Sequence, residues 1–150
     1  MKIEEIMKSS NMSLGKQAMF NLMYTSNLIS EKVQEVMKGY DLSQEQFNVL
    51  RILRGQKGKP ANMHIIQERM IAKTSNTTRL VDKLLLKDLV SRSVCPGNRR
   101  KMEVKITQKG LDLLSELDPV VEASEQAFTQ NLDDNEIQQL IALLEKYRTV

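Results

Sequence analysis

One cysteine, one histidine and no tryptophan stand among the 150 residues of this chain. A single thiol excludes an internal disulfide framework. With one His and one Cys, a metal site would have to rely mainly on carboxylates, and no ligand cluster has metal-like spacing. Neither a metal nor another cofactor is expected. The chain has no glycine-rich phosphate loop and no G-x-S-x-G elbow. It offers no nucleophile–base pair either, so no catalytic residue is expected and an enzyme reading finds no support. No apolar run approaches a membrane span. The opening MKIEEIMKSSNMSLG contains acidic residues and no long apolar core, unlike a secretory signal. A cytoplasmic chain without a membrane partner is the expectation.

The residues that are present make an ordinary globular composition, 41% hydrophobic and 27% charged. The length suits one domain with a sizeable core. The net charge of +3 hides a strong polarisation. Residues 1–68 carry nine basic and seven acidic side chains, residues 69–110 eleven and three, and residues 111–150 two and nine. The net charges of these segments are therefore +2, +8 and −7. A basic block of this kind is the electrostatic footprint of a polyanion-binding surface.

Helical periodicity runs from about Leu14 to Met37, with Leu14, Ala18, Leu22, Ile29, Val33 and Val36 near one face. Met19, Phe20 and Met23 widen that stripe. Such a long apolar face suits a dimer partner. A second helix starts at Ser43, where Gln46 stands at capping-box spacing and Leu42 and Phe47 at staple positions, and it stops near Arg54–Gly55. Gln56 to Pro60 is turn-like. A short helix covers about Asn62 to Arg69, Ile71 to Lys73 turns, and a further helix runs from Thr74 to Lys87 with Leu80, Val81, Leu84 and Leu85 inward. An alternating hairpin follows around Cys95-Pro96-Gly97-Asn98. Thr107 is placed to cap the next helix. At Asp118-Pro119 that helix either kinks or restarts. The last helix begins at Asp133, with Glu136 three residues on.

Residues 70–107 carry the functional signal. Thr74, Ser75, Asn76, Thr77 and Thr78 open a helix whose polar start, preceded by a short helix and a tight turn, has the form of a helix-turn-helix. The hairpin after it is tipped by Arg99, Arg100 and Lys101. That order suits a recognition helix reading base edges in a major groove of double-stranded DNA, with a basic wing on the neighbouring phosphates or minor groove. Lys73, Thr74, Ser75, Asn76, Thr78, Arg79 and Lys83 are the candidate contacts of the helix. Arg79 has an alternative as an ion-pair partner of Asp82. Asn98, Arg99, Arg100 and Lys101 are the candidates of the wing, with Arg99 directed to the minor groove.

The same residues resemble the MarR family (multiple antibiotic resistance regulator) of bacterial transcription regulators. Leu42 to Leu50, LSQEQFNVL, is similar to the family's second helix. Thr78-Arg79-Leu80-Val81-Asp82-Lys83-Leu84 is similar to its recognition helix. Leu89-Val90-Ser91-Arg92 resembles the segment leading into the wing. Asn98-Arg99-Arg100-Lys101, followed by Val104 to Gly110, resembles the wing and the start of the next helix. Two positions depart from the pattern: Asn98 replaces the usual Asp of the wing, and Asp88 replaces the glycine that ends the recognition helix.

The resemblance implies a mainly α fold with a small β-hairpin wing, in one domain. A winged helix-turn-helix core would span about 42–107, flanked by dimerisation helices from about 1–40 and 108–150. It implies a homodimer on a palindromic operator with half-sites roughly 34 Å apart. Repression, released by a small organic or phenolic effector, is the commonest mode. Met19, Met23 and Met63 are candidates for an adaptable effector pocket, with a plain core role as the alternative. Cys95 is the candidate for a thiol-based redox-sensing regulator, with a half-buried strand residue as its bland reading. His64 reads as a boundary histidine. A helical protein-interaction module is the alternative from another class, but it leaves the arginine-tipped hairpin unexplained.

Overall fold

A computed structural model that describes residues 1–150 has seven helices and three strands. The chain divides into two compact units, residues 1–44 and 45–150.

The first unit holds α1 (Ile3–Ile6) and α2 (Leu14–Lys38). Ser13 caps α2 by accepting from the Lys16 amide at 3.3 Å, which satisfies one of the helix's open N–H groups. Along its 25 residues only Met37 is buried. Leu14, Met19, Met23, Tyr24, Leu28 and Ile29 stay exposed. The short α1 has too few residues to show a helical period and is not legible in the sequence.

The second unit holds α3 (Gln44–Gly55) from its second residue on, β1 (Ala61–Asn62), α4 (Met63–Arg69), α5 (Thr77–Leu86), β2 (Val90–Cys95), β3 (Asn98–Ile106), α6 (Gln108–Thr129) and α7 (Asp134–Tyr147). Its core draws Val49, Leu50 and Leu53 from α3, Ile66 from α4, Val81 and Leu84 from α5, Val104 from β3, and Leu114 and Leu117 from α6. Met70, between α4 and α5, is buried as well. The sheet order is β1-β3-β2, all antiparallel.

Several local devices match their sequence signals. Thr107 caps α6, its hydroxyl accepting from the Gly110 amide at 3.1 Å. Asp133 and Glu136 form a reciprocal capping box on α7, at 2.8 and 3.0 Å. Of the two readings of Asp118-Pro119, the restart is overturned: α6 runs unbroken through Pro119, although a proline there cannot donate to the preceding turn. Both carboxylate oxygens of Asp118 accept from the one Nη1 of Arg54 at the end of α3, at 3.0 and 2.8 Å, a charge-assisted contact beside the proline.

One expected boundary moves. The recognition helix starts at Thr77 and not at Thr74, with Asn76 as its cap. Residues 70–76 form a longer turn than Ile71–Lys73 alone.

The strand β1 was not expected at all. Its two residues pair Ala61 with Val104 and Asn62 with Glu103. This pairing joins the start of α4 to the base of the wing.

Candidate nucleic-acid interface

Two asparagines set the helix-turn-helix. Asn62 ends β1 and caps α4, accepting from the Ile65 amide at 2.9 Å. Asn76 caps α5, accepting from the Arg79 amide at 3.1 Å. Because the cap uses the Asn76 carbonyl oxygen, its two amide N–H donors remain for an outside acceptor. Thr77, Val81 and Leu84 turn inward. Thr78, Arg79 and Lys83 fall on the outer face and are exposed, as is Thr74 in the turn before it.

Arg79 does not pair with Asp82. Asp82 binds Arg92 of β2 instead, at 3.3 Å, in a solvent-exposed ion pair between recognition helix and wing. The outward cations Arg79 and Lys83 therefore lie without a carboxylate partner one turn apart. The Lys73 ammonium donates to the Glu68 carbonyl at the end of α4. The Ser75 hydroxyl is shielded from solvent without a partner, so it is the one member of the recognition set turned away from the surface.

The far end of α5 is closed by three features. The Leu89 amide donates to the Leu84 carbonyl and the Asp88 amide to the Leu85 carbonyl, both at 3.1 Å. These are the paired bonds of a Schellman motif, which requires a left-handed residue between them. Asp88 takes that role with φ +57°. The Thr107 hydroxyl then donates to the Asp88 carbonyl at 2.6 Å and Lys109 to the Lys87 carbonyl at 3.0 Å. Gly110 completes the seam: a Cβ there would lie 2.4 Å from the Leu89 carbonyl oxygen. The end of the recognition helix is thus held against the start of α6.

The wing is built from a nine-residue β3 and a six-residue β2. Its register is regular from Val90 opposite Ile106 to Val94 opposite Met102, then shifts at Val94/Cys95. Val104 is buried, while Arg99, Arg100 and Lys101 are exposed at the tip. Asn98 orders that tip: its side-chain oxygen accepts from the Arg100 amide at 3.0 Å. An asparagine serves this backbone contact without the charge of an aspartate. Cys95 is a free, half-buried thiol beside the same turn.

The structure brings the helix candidates Thr74, Asn76, Thr78 and Arg79 together at the open end of α5, while Lys83 lies in its last turn, one turn beyond Arg79 on the outer face. The wing candidates Asn98 to Lys101 gather at the hairpin tip. Met19 and Met23 are exposed on α2 of the first unit, and Met63 is half-buried on α4 of the second. Sequence reasoning missed the Asp82–Arg92 pair and the hydrogen bonds of Gln67 to Lys73 and Thr77, which join separate elements six to ten residues apart, beyond the reach of one helical turn. A short helix and a polar-started helix joined by a turn, followed by a basic hairpin that pairs with a strand before the first, define a winged helix-turn-helix protein.

Comparison with known proteins gives the family. The MarR family pattern matches residues 42–102. The structure of a MarR transcription factor from Planctomyces limnophilus is similar at 32% identity, with 90% of this chain and 98% of that one covered and a TM-score of 0.71. BpsR of Bordetella bronchiseptica, described for regulation of its DNA binding by 6-hydroxynicotinic acid, is similar at 22% identity, covering 94% and 99%, with a TM-score of 0.81. A mutant MarR of E. coli in complex with operator DNA is similar at 24% identity, covering 85% and 91%, with a TM-score of 0.74. This chain belongs to the MarR family and is a DNA-binding transcription regulator.

Proposed function

We propose that the protein represses transcription in the cytoplasm by binding a palindromic operator as a homodimer. Each copy inserts the open end of α5 into a major groove and lays its wing along the adjacent minor groove. Thr74, Asn76, Thr78 and Arg79 contact bases and phosphates, Lys83 a phosphate, and Arg99 the minor groove, where negative potential attracts a guanidinium. Arg100 and Lys101 neutralise phosphates. A small organic effector lowers the affinity; in BpsR, DNA binding is regulated by 6-hydroxynicotinic acid.

The observation that carries this reading is the pairing of two kinds of incomplete surface. Arg79, Lys83, Arg99, Arg100 and Lys101 are exposed cations without carboxylate partners. The helices α2 and α7 carry apolar faces exposed in a single chain. A polyanion answers the first and a second copy the second.

The test begins by selecting a duplex from a random-sequence pool with the wild-type protein. Fluorescence anisotropy then compares that duplex with its shuffled sequence at several salt concentrations. Tight binding to the selected duplex alone, with log affinity falling steeply in log salt, supports the reading. Dyad symmetry in the selected sequence and two chains per duplex by light scattering support the dimer. Equal, weak binding to both duplexes sinks it.

A further inference from the structure

The turn before the recognition helix is longer than the sequence suggests, and little of its own backbone holds it. Within residues 71–76 one backbone hydrogen bond closes locally, from the Ser75 amide to the Ala72 carbonyl at 3.1 Å. A side chain from α4 spans the rest. Gln67 donates from Nε2 to the Lys73 carbonyl at 2.7 Å. Its Oε1 accepts from the hydroxyl of Thr77, which is the first residue of α5 and is buried.

The orientation of this amide follows from chemistry. A backbone carbonyl only accepts, so Nε2 must face Lys73, leaving Oε1 for the Thr77 hydroxyl. The two ends of one carboxamide thus tie the middle of the turn and the head of the recognition helix to α4. No other uncharged side chain of this length has a donor at one corner and an acceptor at the other. Glutamate would keep the acceptor but place a second acceptor against the Lys73 carbonyl.

We infer that Gln67 is a positioning residue for sequence-specific recognition, acting through Lys73 and Thr77 on the base-reading end of α5. The inference rests on the DNA-binding role of α5 proposed above. Gln67 is not assigned a contact with DNA. Base-edge hydrogen bonds require donors and acceptors held to a fraction of an ångström. Phosphate attraction by Lys and Arg tolerates much looser placement. Loosening this latch therefore lowers affinity for the right sequence while leaving non-specific attraction and its salt dependence in place. A purely structural residue would lower both together.

The experiment uses the full chain and the selected and shuffled duplexes. Gln67→Met keeps length and volume without either hydrogen bond. Thr77→Val removes the hydroxyl with little change in shape, and Thr77→Ser restores it. Thermal melting and circular dichroism confirm that each variant is folded. Gln67→Met and Thr77→Val are each expected to lose about tenfold in affinity for the selected duplex and under about twofold for the shuffled one. The double variant should lose no more than either single, since both break one shared link. Thr77→Ser should bind like wild type.

Multiplying losses in the double variant, equal losses on both duplexes, or single variants that discriminate as wild type does would overturn the inference alone. A Gln67→Met chain that does not fold leaves Thr77→Val and Thr77→Ser to decide it. A wild-type protein that fails to distinguish the duplexes removes the regulator reading, and this inference with it.

Discussion

Helices α5 and α7 are both amphipathic, yet they meet opposite fates in a single chain. The ten residues of α5 bury Thr77, Val81 and Leu84, and its ends are closed by Asn76 and by the Schellman turn at Asp88. The fourteen residues of α7 bury none, although its capping box is complete. Leu140, Ile141, Leu143 and Tyr147 are 45 to 64% exposed. What α5 leaves incomplete is charge, and what α7 leaves incomplete is apolar area. Scattered apolar side chains on a surface are ordinary, but a contiguous face along a helix marks an interaction site. In the proposed function, the first surface meets a polyanion and the second a second copy of the chain.

The sharpest way to break this contrast is a charge on α7. Ile141→Asp should raise the dissociation constant of the homodimer by roughly a thousandfold, about 4 kcal/mol, because a carboxylate would be desolvated without a partner. Sedimentation velocity would read the shift. A dimer of unchanged stability would mean that α7 is merely solvated.

Next in size is the seam between α5 and α6. Gly110→Ala places a methyl against the Leu89 backbone oxygen, which cannot swing aside as a side chain would. The expected cost is about 3 kcal/mol in folding stability, measured by urea denaturation. A neutral substitution would show that the end of α5 is not held by this contact.

Arg99→Ala tests the charged surface without touching the core. Affinity for the selected duplex should fall about tenfold, or about 1.4 kcal/mol, with no change in oligomeric state. An unchanged affinity would move the minor-groove contact to another residue or remove it.

The smallest effect is expected at Asp88. Glycine there relieves the left-handed backbone but adds freedom to the unfolded chain, so the two nearly cancel. A net gain of about 0.5 kcal/mol is expected in the same urea titration, with DNA affinity intact. A loss of stability would mean that the Asp88 side chain contributes something the backbone geometry does not require.

These residues also mark how far the sequence could be read. The caps at Thr107 and Asp133 were legible because each is completed within three residues. The inward face of α5 was legible from spacing, and the wing from alternation and its Pro-Gly turn. Asp88 was legible as the end of α5 because it stands where the family has glycine. The start of α5 was misplaced by three residues. Thr74, Ser75 and Asn76 all favour helix starts, and their local preference cannot choose among them. Gln67, seven residues upstream of Thr74, holds the turn open and leaves Asn76 to cap. In the same way β1 was invisible, since two residues show no period and their partners lie some forty positions away.

What the chain alone determined were the features set within a turn or a strand: helix faces, caps, the alternating wing and the basic block over residues 69–110. Those depend on neighbours one to four positions apart, where side-chain chemistry acts directly on the local backbone. Tertiary structure decided which charges remain free and which polar groups hold the recognition helix. Asp82 had Arg79 within reach along its own helix but pairs with Arg92 across the fold. Gln67 shares its amide between a turn and a helix that only folding brings beside it. Competition of that kind is settled by distance in space, which the order of residues does not contain.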